Sequence, residues 1–100
     1  MKENRIYLDI PEGISIVTDP VPGEVCFRSC RGQIDFDAKN ILVFPPHVRR
    51  VVGSFFTGFF KELRRSMTPG DINRLFAFDQ DMPCKESAEK AFMTYLSRDM

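Results

Sequence analysis

No run in this 100-residue chain stays apolar for the ~20 residues that cross a bilayer. The opening MKENRIYLDI carries no long apolar stretch ahead of a small-residue cleavage site. No membrane association and a cytoplasmic location are the expectations. Charge of one sign is equally missing, with 14 basic residues against 14 acidic ones. That balance argues against a general nucleic-acid binder, which neutralises phosphates with a basic surplus, and against polybasic attachment to a lipid surface. Cysteine is scarce: there are three, an odd count with no C-x-x-C, so a disulfide framework is not expected. A P-loop, G-x-G-x-x-G, H-E-x-x-H and G-x-S-x-G are all missing, and the chemistry each supports has no signature here. There is no repeat and no low-complexity tract.

What the chain does have is apolar bulk, 43% of residues, enough for one core in a single domain over 1–100. The densest part is 51–67, VVGSFFTGFFKELRRSM, which holds four of the ten phenylalanines within six positions. Phe55, Phe56, Phe59, Phe60, Leu63 and Met67 recur at steps of one, three and four, so they fall on one face of a helix. Ser54 is placed to cap it, Arg64 and Arg65 to complement the dipole of its last turn, and Pro69-Gly70 to end it. Burying one phenylalanine contributes about 1.5–3 kcal/mol, so this helix is expected to anchor the core.

Around it, Ile6, Leu8 and Ile10 alternate with polar residues as a half-buried strand does. Ile14 to Thr18 reads as a second strand, and Pro11-Glu12-Gly13 between them suggests an antiparallel hairpin. Residues 19–23 hold two prolines and a glycine and predict a break. Residues 24–38 fit two patterns, a helix (Phe27, Cys30, Ile34) or a hairpin turning at Arg31-Gly32. Ile41 to Phe44 is a continuous apolar run, the mark of a strand covered on both faces at a sheet's centre. A strand is expected within 72–78, best in 75–78, and an amphipathic helix from Lys85 to Arg98 with Ala88, Ala91, Phe92, Tyr95 and Leu96 on its apolar side. The order predicts an α/β fold: a small mixed, mostly parallel sheet of about four strands packed by two or three helices on one main face.

The stretch from Ile41 to Phe78 resembles the STAS domain, the fold of bacterial anti-sigma-factor antagonists. In that family a central apolar strand leads through a short loop to a small-residue motif with a serine, a helix opens there, and a further strand follows. Here these are Ile41–Phe44, the loop to Val51, Val52-Gly53-Ser54, the Phe-rich helix and Leu75–Phe78. The chain is also similar to a STAS-like group in which a Ser-Phe pair begins the helix, as Ser54-Phe55 does. Val52 and Gly53 stand where the regulatory members have an acidic residue before the serine. The resemblance implies that 24–38 is the first helix. It further implies a non-catalytic regulatory or protein-interaction module, with a protein partner docking on loop 45–54 and the exposed face of helix 54–67.

Ser54, Thr57, Lys61 and Arg64 are the partner-binding candidates on that face, Ser54 also as a phosphorylation switch, and Gly58 would leave room for close approach. A phosphoserine suits a helix N-terminus near Arg49 and Arg50, yet capping alone accounts for the hydroxyl. An ordinary solvated helix face is the plainer account of the others, because every surface helix has one. Arg49, Arg50, Arg64 and Arg65 can be read together as a local basic patch for an anion or nucleic acid, against which the zero net charge argues. Cys26, Cys30, His47 and Cys84 include zinc-ligand types, but their spacings match no common zinc module and packing explains the cysteines. Asp79-x-Asp81 lacks the glycine and glutamate of a Ca²⁺ loop, and neither metal nor cofactor is expected. The alternative is a small enzyme or ligand-binding domain with a site near His47, Ser54 and Asp79, beyond the C-terminal strand ends. A homodimer that buries the aromatic surplus is a third reading.

Overall fold

The computed structural model describes residues 2–98. It is a small α/β domain. Strands β1 (Glu3–Tyr7), β3 (Lys39–Val43) and β5 (Phe76–Phe78) form one sheet in the order β1-β3-β5. Strands β2 (Ile16–Val17) and β4 (Arg50–Val51) make a separate two-stranded ladder. All three strand pairings are parallel, with Ile6, Leu42 and Phe78 in register across the larger sheet. The apolar run at 41–44 is therefore central, as its composition requires.

The strand pairing departs from the sequence reading. The hairpin expected from 6–10 and 14–18 does not form, because β1 pairs with β3 and β2 pairs with β4. Alternation within β1 sets Ile6 and Leu8 into the core row beside β3, whereas Ile14 and Ile16 stay largely exposed. The sheet is also parallel throughout its described pairs rather than mixed in direction.

Helix α1 runs from Pro20 to Cys30 and a 3₁₀ turn extends it to Gln33. The expected break at 19–23 is instead its first turn. Pro20 and Pro22 lose nothing there, because the first N–H groups of a helix have no intrahelical partner. Residues 34–38 are loop, so the helix implied for 24–38 covers only the earlier part. Helix α2 spans Gly53–Phe59 and is shorter than the periodicity predicts. The chain turns at Phe60, whose ring is packed 5.0 Å from Phe76 and 5.5 Å from Tyr95, and resumes as a 3₁₀ turn over Leu63–Arg65. Pro69-Gly70 does not end a helix but opens α3 (Pro69–Leu75), so only Phe76–Phe78 of the expected 72–78 segment is strand. Helix α4 (Lys85–Arg98) buries the five residues its periodicity marks.

Helix α3 has a full capping box. The Asp71 N–H donates to Thr68 Oγ1 (3.1 Å) and the Thr68 N–H donates to Asp71 Oδ2 (2.9 Å). Those bonds from Thr68, with Arg74 adding less, hold the Asp71 carboxyl below the usual carboxylate range. A lowered folded-state value means stability that is present above the unfolded value near 4 and is lost as pH falls through the folded value. Thr68→Ala should cost about 1 kcal/mol in urea titrations at neutral pH. In thermal melts, Asp71→Asn should lose less stability than the wild type on acidification below about pH 4.

The core lies on one face of the sheet. Phe55, Phe56, Phe59 and Phe60 are fully buried, and the Phe56 ring meets those of Phe44, Phe55, Phe60, Phe78, Phe92 and Tyr95. Asn40 is the one buried polar residue among those described, and it is fully satisfied. It accepts from Asn4 and the Asp35 N–H, and it donates to the Asp35, Ala38 and Leu75 carbonyls. On the opposite face Arg5, Ile41 and Ala77 share a register, and the Arg5–Asp79 ion pair joins β1 to the end of β5 across the central strand.

Candidate functional site

Helices α1 and α2 cross at two glycines. A Cβ on Gly58 would stand 1.8 Å from the Pro20 carbonyl oxygen, and one on Gly23 would stand 2.1 Å from that of Phe55. Gly58 thus admits α1 rather than a partner. The side of α2 that carries Ser54 and Gly58 packs against α1, while Lys61 follows the helix and stays exposed, and this decides what each candidate residue can do.

Ser54 is not the cap. The helix starts at Gly53, Val52 is its N-cap two residues before Ser54, and the Val52 N–H continues the strand ladder to the Val17 carbonyl (2.9 Å). The Ser54 hydroxyl accepts from the Asp19 N–H (3.0 Å) and is hydrogen-bonded to the Thr18 hydroxyl (3.2 Å), tying the start of α2 to the start of α1. Lys61 faces Glu24 of α1 at 3.8 Å, the Arg64 guanidinium donates to the Met67 carbonyl, and Thr57 stays exposed. The four are distributed along α2 and its continuation and form no single cluster. Arg49 and Arg50 share a groove of about 630 Å³ with Lys90, while Arg65 lines a different crevice with Arg28 and Lys61. The four arginines do not make one patch.

His47, Ser54 and Asp79 are each committed elsewhere. A ring nitrogen of His47 is hydrogen-bonded to the Pro11 carbonyl (2.9 Å), Ser54 holds Asp19, and Asp79 pairs with Arg5. Cys26, Cys30 and Cys84 are buried free thiols. Burial pushes Cys26 up to about 12 and Cys30 to about 11, which keeps both protonated and unreactive at neutral pH. Among the described residues no three His, Cys, Asp or Glu side chains converge as metal ligands would. No described helix is long and apolar enough to cross a membrane.

The concave surface that does stand out is a groove of about 470 Å³ between segment 9–19 and α1. Four aliphatic side chains that line it are left in water: Ile14 (41% exposed), Ile16 (52%), Val21 (68%) and Val25 (52%). Val17, Cys26 and Phe55 form its floor. Loop 45–54 backs its outer wall, through the His47 bond to Pro11, the Arg49 N–H to the Ser15 carbonyl (2.8 Å) and the Val52 N–H to Val17.

Asp19 sits at the groove's rim, at φ 73° and ψ 147°, the one non-glycine residue with positive φ among those described. That region is nearly glycine-only and costs of order 1–3 kcal/mol. The Ser54 hydroxyl holds the Asp19 N–H in place, and the carboxylate makes no capping bond.

Ser54 meets the groove only at its rim, through Asp19, and the groove itself is not among the sites expected from the sequence. Its signal lies in Ile14, Ile16 and Val17 of the expected second strand, in Val21 of the expected break and in Val25 of the stretch 24–38 that fits helix or hairpin. When the chain is compared with protein-family models, curated proteins and solved structures, none matches it.

Proposed function

We propose that this protein is a non-catalytic protein-interaction module of STAS-like type, and that it takes apolar side chains of a protein partner in the groove between segment 9–19 and α1. The observation that carries the reading is the convergence of Ile14, Ile16, Val21 and Val25. Four large aliphatic residues that line one concavity and stay 41–68% exposed make a contiguous apolar surface of the kind that marks interaction sites. Further support comes from Ser54 and loop 45–54, the region the STAS resemblance assigns to partner contact, which back and anchor this groove. Ser54, with its hydroxyl on Asp19, acts here as the tether that sets the groove's width.

The reading is tested by placing a photo-crosslinking benzoylphenylalanine at Val25, and as a control at Met93, which is also exposed but lies on α4. In cells of the protein's own source, position 25 should capture one discrete partner that position 93 does not, and Val21→Glu should abolish the capture. Val21 is 68% exposed, so that change should leave folding stability within about 0.5 kcal/mol. Equal capture at both positions, or capture indifferent to Val21→Glu, would remove the groove from the function.

A further inference from the structure

The groove's rim has a sign. Its lining includes two carboxylates, Asp9 and Asp19, and no lysine, arginine or histidine. Both residues are exposed, and among the described residues neither carboxylate has an ion-pair partner. The Asp19 backbone is held in a conformation that glycine adopts far more readily, without its side chain serving as a cap. The Asp19 and Asp9 carboxylates therefore give the apolar groove a negative rim with no cation of its own among the described residues.

We infer that the groove selects a peptide segment of its partner that carries two aliphatic or aromatic side chains flanked by lysine or arginine. The apolar pair seats between Ile16 and Val25, and the cation is met by Asp19 and Asp9. The inference rests on the interaction reading above and adds the partner's chemistry to it. Charge complementarity at an apolar groove fixes register and raises the encounter rate, while the aliphatic contact supplies the affinity.

The experiment is a selection of random twelve-residue peptides, displayed on phage, against the immobilised full chain. Enriched peptides are then synthesised and their affinities measured by fluorescence anisotropy. Enriched sequences should share an apolar pair with Lys or Arg next to it. Asp9→Asn with Asp19→Asn should weaken them about fivefold, and raising salt should weaken the wild-type complex in the same sense. Val25→Glu should abolish binding of every enriched peptide. Asp19→Gly separates fold from recognition: by relieving the backbone it should raise Tm by about 4–8 °C while it weakens the peptides as Asp19→Asn does. Enriched peptides with no basic preference, or unaffected by the double asparagine variant, would overturn the inference and leave the groove's role standing. Peptides indifferent to Val25→Glu, or no enrichment at all, would end both. A micromolar dimer that Val21→Glu dissociates would give the groove to a second copy of the chain and overturn the inference.

Discussion

Replacing Gly58 with alanine is expected to bring the domain close to unfolding at room temperature. The added methyl would lie 1.8 Å from the Pro20 carbonyl oxygen and 2.5 Å from its carbon. Those are backbone atoms, so no side-chain rotation relieves the clash, and α1 must move off α2. Inserting one methylene into a packed site typically costs 1–3 kcal/mol, and more where backbone shifts. An expected loss of about 3 kcal/mol or more is a large share of the 5–15 kcal/mol a domain of this size has in total. Urea titration reads it as a fall in midpoint. Gly32→Ala is the control: nothing lies within 4 Å of its added carbon, and its midpoint should stay near the wild type's. A Gly58→Ala midpoint equal to the wild type's would mean that the two helices do not cross as described. Because α1 also forms one wall of the groove, any folded remnant of this variant should have lost peptide binding too.

The second large effect is expected at Phe56. Its side chain is fully buried and its ring lies 5.5–6.5 Å from six others, drawn from α2 and the residue that follows it, α4, β5 and the residue following β3. Phe56→Ala removes all of those contacts and leaves a cavity that the surrounding rings cannot all close, at a cost of about 3–5 kcal/mol. Phe56→Leu keeps most of the volume and should cost under about 1.5 kcal/mol. The two are compared by urea unfolding at constant m, which reports stability rather than a change in the denatured state. A Phe56→Ala cost under about 1 kcal/mol would show that the ring cluster is not the centre of the core.

The short-range patterns were reliable where one face of an element is buried. The 3.6-residue recurrence of Phe55, Phe56, Phe59 and Phe60 marked rings that are all buried, and Ala88, Ala91, Phe92, Tyr95 and Leu96 did the same for α4. The unbroken quartet Ile41–Phe44 marked the central strand, because successive apolar residues suit a strand covered on both faces, and Ile41 and Leu42 are indeed both buried on opposite faces of β3. Composition could go no further. Proline in 19–23 reads as a breaker unless it falls in the first helical turn, and the Pro69-Gly70 pair ends one segment or begins another with equal local merit. For 19–23 the bond that settles the matter comes from far along the chain, the Ser54 hydroxyl accepting from the Asp19 N–H, whereas for 69–70 it is the local capping box of Thr68 and Asp71.

The linear chain by itself therefore determined the α/β class, the aromatic core and which strand is central. These follow from side-chain periodicity and burial, which are local properties of neighbouring residues. The tertiary structure alone decided that β1 and β2 part company to pair with β3 and β4, that Gly23 and Gly58 let two helices touch, and that Ile14, Ile16, Val21 and Val25 meet around an acidic rim. Strand partners, helix crossings and grooves depend on contacts between residues far apart in sequence. No local preference encodes which of several compatible faces will meet.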